Sequence, residues 1–109
     1  MMTLFRPLLP LAVLALAGAA SAQSPDSQAG RQKAQACAVC HGPNGISATP
    51  DAPNLAGQPA IYVAAQLKAY RDGSRKHEVM AVMAKPLSDQ DIANLAAWYA
   101  LIRIEATAP

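Results

Sequence analysis

Two thiols, Cys37 and Cys40, are separated by Ala38 and Val39, and His41 directly follows the second. The chain has only these two cysteines, so no other sulfur chemistry competes for them. Thiols at this spacing can add across the two vinyl groups of one porphyrin, forming thioethers, and the trailing imidazole can then coordinate the iron from the proximal side. C-x-x-C-H is the attachment signature of c-type haem. Other uses of the pair fit less well. A thioredoxin-like redox pair expects a βαβ pattern around it, and no β-rich run surrounds Cys37. A closed structural zinc site needs four ligands, and beyond Cys37, Cys40 and His41 only His77 is left as a natural fourth. A disulfide closing a two-residue loop would constrain little of the chain.

A second signal comes from a separate part of the sequence. Residues 1–22 read as a cleavable signal peptide: Arg6 supplies the positive n-region, Leu8 to Ala17 a short apolar run interrupted by Pro10, and Ala20-Ser21-Ala22 the small residues for cleavage before Gln23. The apolar run falls short of the ~20 residues of a transmembrane helix. No membrane span is therefore expected after cleavage, an uncleaved anchor being the alternative. Covalent haem attachment in bacteria takes place outside the cytoplasm, so motif and leader agree on a periplasmic protein. The mature chain, residues 23–109, is long enough for one small domain. Phe5 departs with the leader, which leaves Tyr62, Tyr70, Trp98 and Tyr99 as the aromatic complement. A core this small, made mainly of Ala, Leu, Ile and Val, is marginal alone; a covalently held porphyrin would supply the missing apolar bulk. Without Arg6 the chain carries eight basic and seven acidic side chains, and nothing points to nucleic acid as a partner.

The elements that must position the motif are helical. Gln23 to Ala29 is polar and contains Ser24-Pro25, as in a frayed terminus. A first helix is expected from Ala29 through Cys37, because Arg31 to Ala36 contains only good helix formers. His41-Gly42-Pro43-Asn44-Gly45 breaks it, and Ile46 to Gly57 is a loop with no sustained period. A loop of that length is usually functional or wrapped around something, here the haem. Pro59 fits the first turn of a second helix that runs to Asp72 and stops at Gly73, with Val63, Leu67 and Tyr70 as its apolar stripe. Gly73 to Lys85 reads as a second irregular region, carrying Met80 and Met83. Ser88-Asp89-Gln90-Asp91 resembles a capping box and opens a third helix to Arg103, periodic in Ile92, Leu95, Ala96, Tyr99 and Ile102. The expectation is an all-α domain: three main helices and irregular loops around one haem.

That order of elements resembles a class I cytochrome c over Ala29 to Glu105. Cys-Ala-Val-Cys-His-Gly-Pro-Asn-Gly at 37–45, Pro-Asn-Leu-Ala-Gly-Gln at 53–58 and Leu-Ser-Asp-Gln-Asp-Ile-Ala-Asn-Leu-Ala-Ala-Trp-Tyr at 87–99 sharpen the likeness. Together they look like one half of the bacterial periplasmic dihaem cytochromes, and like their small single-haem relatives. One attachment motif departs from the dihaem pattern, so transfer between two haems within one subunit is not expected. The resemblance implies that Cys37 and Cys40 carry one haem c, that His41 is the fifth iron ligand and that a downstream methionine is the sixth. Met80 is the choice and Met83 the alternative, which would otherwise pack against the porphyrin edge. It also implies that the Pro53 carbonyl accepts the Nδ1–H of His41 and that Gly30 and Trp98 mark a helix crossing. His77 lies in a charged stretch and reads as solvated surface. Lys68, Arg71, Arg75 and Lys76 could steer an acidic redox partner, diluted by Asp72 and Glu78.

With both axial positions filled, iron has no open site for substrate and can only cycle between ferrous and ferric states. No catalytic acid, base or nucleophile constellation accompanies the motif. The implied function is a periplasmic electron carrier rather than an enzyme, exchanging electrons with a respiratory oxidase, reductase or dehydrogenase. The alternatives are a haem-bearing subunit of a respiratory or dehydrogenase complex, and a ligand-binding or peroxidase-like haem domain. The haem-free mature chain is expected to be largely unfolded; far-UV circular dichroism at room temperature checks this, and a helical spectrum would contradict it.

Overall fold

The computed structural model describes Gly18 and residues 23–109, so the leader reading lies outside the described residues apart from Gly18. Among the described residues five helices follow one another: α1 (Ser27–Lys33), α2 (Ala38–His41), α3 (Ala60–Asp72), α4 (Glu78–Ala84) and α5 (Asp89–Leu101). A 3₁₀ turn, Ala34–Cys37, joins α1 to α2. There is no strand among the described residues. None of the described helices is long and apolar enough to cross a membrane.

The first helical path starts earlier and ends later than the sequence led us to expect. Asp26 caps α1, its Oδ1 accepting from the backbone of Gln28 at 2.9 Å and Ala29 at 3.1 Å. An N-cap carboxylate satisfies amides that have no partner within the helix. The segment before α1 is tied rather than frayed: the Asp26 amide donates to Asn94 Oδ1 at 2.8 Å, a contact 68 residues away in sequence. Through the 3₁₀ turn the path then runs on to His41, so both cysteines and the histidine sit on helical backbone.

Pro59 stands at the N-cap of α3, one position before the first helical residue, and Gly73 ends the helix. α4 corrects the sequence reading. Glu78–Ala84 is a helix within the stretch expected to be irregular, which makes four principal helices where three were foreseen. Its start is set by His77, whose Nδ1 accepts from the Met80 amide at 3.2 Å. Histidine is outside the Ser/Thr/Asp/Asn set that marks a helix start in a sequence, which is why α4 was missed. The capping box of α5 is as expected, Ser88 Oγ and Asp91 Oδ2 each accepting the other's backbone N–H at 3.0 Å. The Ser88 amide in turn holds the Asp91 carboxyl below the ordinary range. α5 stops at Leu101, two residues before the expected Arg103, where Ile102 turns extended.

The core is formed where α1 and α3 pack on α5, and it contains Ala34, Val63, Ile92, Leu95, Ala96 and Tyr99. The α1–α5 crossing depends on a missing side chain. A Cβ built on Gly30 would lie 1.9 Å from the carbonyl oxygen of Asn94 and 3.0 Å from Trp98 Cβ. Trp98 does lie at the crossing, and the Arg31 guanidinium stacks over its ring at 5.5 Å. Backbone cannot yield as a side-chain tip would, so the helices must separate if Gly30 gains a methyl. Gly30→Ala should destabilise the folded protein by about 2 kcal/mol or more, read as a lower guanidinium midpoint for the haem-loaded protein.

Candidate haem site

The site grows out of the helical path that carries the motif. Cys37 closes the 3₁₀ turn, Cys40 and His41 lie on α2, and both thiols are free and partly buried. Gly42 stops α2 with φ +79°, and a Cβ there would lie 1.7 Å from the carbonyl oxygen of Ile46. Glycine is therefore what lets the chain turn back immediately after the histidine.

The turn begins a loop held by its own backbone. The Ala48 amide donates to the Cys40 carbonyl at 3.0 Å, and the Leu55 and Ala56 amides both donate to Gly45, at 2.7 and 3.0 Å. Gly57 donates to the Tyr99 carbonyl at 2.9 Å, which moors the loop to α5. This frame puts the Pro53 carbonyl 2.8 Å from His41 Nδ1. A carbonyl can only accept, so Nδ1 carries a proton and Nε2 is the nitrogen left for a metal. His41 itself is buried, only 7 % exposed. An immobilised imidazole that turns Nε2 away from its hydrogen-bonded edge is what a metal ligand requires, and the bond to Pro53 fixes the ring.

Cys37, Leu67, Met80, Met83, Leu87 and Leu95, together with Lys33 and Ala36, line a small, mainly apolar cavity of ≈ 50 Å³. An attachment cysteine and both methionines thus share a cavity, although they are more than forty positions apart in sequence. Met80 is partly buried, whereas Met83 is 36 % exposed. His77 does not join the cysteines. Among the described residues no three His, Cys, Asp or Glu side chains converge as a metal cage.

Two features escaped the sequence reading. Among the described residues, Thr49 Oγ1 and the Tyr99 hydroxyl are buried without a hydrogen bond of good geometry. Tyr99 lies beside the Cys37 sulfur; burial pushes the phenol well above the usual tyrosine range, and the neighbouring thiol adds to the effect. Burial also raises the Cys37 thiol, while Tyr99 pulls it the other way. The only sequence signal was a tyrosine at a periodic core position, where phenylalanine would have packed as well. Apolar walls, two free thiols, a thioether side chain and buried hydroxyls without partners fit a covalently bound porphyrin. The basic cluster is partly committed elsewhere: Arg71 pairs with Asp89 at 2.6 Å and donates to the Leu87 carbonyl at 3.0 Å. Arg75 donates to Gln66 Oε1 at 2.6 Å and stacks on Tyr70. Lys68 and Lys76 stay exposed.

The cytochrome c family model matches residues 27–100. This fold and this site are those of a class I c-type cytochrome. The chain belongs to the cytochrome c family and is an electron-transfer haem protein holding haem c through Cys37 and Cys40. It is 48% identical over 77 residues to cytochrome c-554(548) of Halomonas halodenitrificans, covering 68% of this chain and 93% of that one. It is 38% identical over 102 residues to the thiosulfate dehydrogenase electron acceptor of Thiomonas intermedia, covering 91% and 46% respectively. Reduced cytochrome c4 from Pseudomonas stutzeri superposes with a TM-score of 0.69 at 37% identity, over 73% of this chain and 47% of that one. The chain therefore spans about half the length of its cytochrome c4 relatives, as expected for a single-domain relative of a dihaem protein.

His77→Ala should weaken α4 by about 1 kcal/mol, the usual worth of a side-chain N-cap. Hydrogen exchange should show it as faster exchange of the α4 amides, with the α5 amides unchanged.

Proposed function

We propose that this protein is an exported, periplasmic carrier of single electrons, with His41 and Met80 as the axial ligands of its haem iron. When bound, haem c supplies one-electron exchange between ferrous and ferric iron. Every other requirement falls on the chain. Cys37 and Cys40 hold the group covalently, and His41 presents Nε2 because Pro53 fixes its tautomer. Met80 offers a thioether from a helix whose first turn is capped at its own amide, and thioether ligation favours the ferrous form. The observation that carries this assignment is the cavity that Met80 shares with Cys37, where Met80 is the better buried of the two methionines. Met83, more exposed, packs at the rim.

Leu67, Leu87 and Leu95 give this cavity apolar walls. An apolar surround keeps reorganisation small between oxidation states and suits a carrier rather than an enzyme. Cleavage of the leader near Ala22 places the carrier outside the cytoplasm with no membrane span of its own. A dehydrogenase is the favoured donor class, supported by the relative named as an electron acceptor of thiosulfate dehydrogenase. An oxidase or reductase then completes the circuit. The same likeness supports a second reading, a haem-bearing subunit docked in a dehydrogenase complex, which co-purification distinguishes.

Met80→Ala tests the assignment. The methionine–iron charge-transfer band should vanish and the midpoint potential should fall by roughly 100 mV or more, a fraction of the ~0.8 V that axial ligands command. The reduced variant should gain carbon monoxide binding that the parent protein lacks. An unchanged band would move the assignment to Met83. Rapid stoichiometric carbon monoxide binding by the parent protein at neutral pH would favour a ligand-binding haem domain instead.

A further inference from the structure

Tyr99 is 3 % exposed and packs with Ala34 and Leu95, with Cys37 lying against the same cluster. Two contacts fix its place. Its carbonyl accepts from Gly57 at 2.9 Å, and its ring meets the backbone so closely at Gly45 that a Cβ there would lie 3.1 Å from Cδ1. The ring has no freedom to carry its hydroxyl to the surface. Yet among the described residues that hydroxyl makes no hydrogen bond of good geometry, its polar contact being the Cys37 sulfur, and phenylalanine would fill the same space without burying a polar atom. A buried hydroxyl left unmatched is costly, so its neighbour matters. That neighbour is the Cys37 sulfur.

We propose that the Tyr99 hydroxyl donates a hydrogen bond to the sulfur of Cys37 once that sulfur has become a thioether, and that this bond biases the haem toward its ferrous state. The inference rests on the haem-protein reading and adds a tuning residue to it. As a free thiol, Cys37 can donate or accept. Attachment adds the thiol hydrogen to one vinyl carbon and sulfur to the other, consuming the double bond and changing no oxidation state overall. The sulfur then has lone pairs and no proton, so it can only accept. The phenol is the group beside it with a proton to give, and burial keeps that proton in place. Drawing electron density from the thioether disfavours the ferric state, as hydrogen bonds around a haem generally do when they stabilise extra electron density. Tyr99 acts through Cys37 and not on the iron, so it is a positioning residue.

The test is Tyr99→Phe in the haem-loaded protein. Haem staining of both denatured proteins separates the two levels: a colourless parent band would sink the haem reading itself, whereas colour in both bands leaves only the tyrosine in question. Deuteration should then shift the thioether C–S stretch in resonance Raman spectra of the parent protein and leave the variant's unmoved. At a fixed ambient potential the ferrous-to-ferric ratio of the variant should fall roughly threefold, the scale of one modest hydrogen bond. Thermal unfolding adds a test by sign, since a bonded hydroxyl makes the variant less stable and an orphaned one makes it more stable. A parent C–S band indifferent to deuterium, an unchanged ferrous fraction or a more stable variant overturns the proposal. The parent spectrum decides alone should the variant fail to accumulate.

Discussion

At Gly30 the backbone of α1 approaches that of α5 so closely that the space of one methyl is already taken by the Asn94 carbonyl. Most of the architecture follows from that approach. α1 leads through one 3₁₀ turn into the two cysteines and the histidine, and α5 supplies Leu95 and Tyr99 on the face they pack against. The crossing is therefore the link between the attachment motif and the core. Polar contacts lock its ends: Asn94 accepts the Asp26 amide at one side, Lys33 and Asp91 pair at 3.4 Å along it, and Arg31 covers Trp98.

The second constraint is a backbone carbonyl. His41 is held by Pro53, and proline contributes its C=O while having no N–H that would need a partner. The carbonyl is placed by a loop without regular secondary structure, whose amides converge on the Gly45 carbonyl and whose far end is moored to α5 through Tyr99. His41 is thus tied to the same helix that packs against Cys37. Such a frame moves little, and a carrier gains speed from a site that changes little when its charge changes.

The core itself is thin. Several of its buried members are alanines, at 34, 56, 84 and 96, and among the described residues only Ile92 and Leu95 are large side chains almost wholly removed from solvent. Alanine lets helices approach but buries little apolar area, so a domain of this size depends on the porphyrin to complete its interior. The surface charges are divided in the same economical way. Arg71 ties α3 to the start of α5 and Arg75 braces α3 over Tyr70, leaving Lys68 and Lys76 as the open cations of that face.

Local chemistry alone made several features legible in the amino-acid sequence. The C-x-x-C-H motif names the cofactor, because covalent geometry dictates the spacing. Gly73 and the Ser88–Asp91 box mark helix ends, because caps act over three or four residues, and the stripe of Ile92, Leu95, Ala96 and Tyr99 marks the buried face of α5 by its period. The resemblance to a known family added the His41–Pro53 contact and the Gly30–Trp98 crossing. Other features were hidden, for a common reason. α4 depends on a histidine cap that no propensity announces, the start of α1 on an aspartate tethered to Asn94 across the fold, and the role of the Tyr99 hydroxyl on lying next to a sulfur 62 positions away. Contacts between residues distant along the chain are set by how helices cross. Only the folded structure decides which polar atoms then find, or lack, a partner.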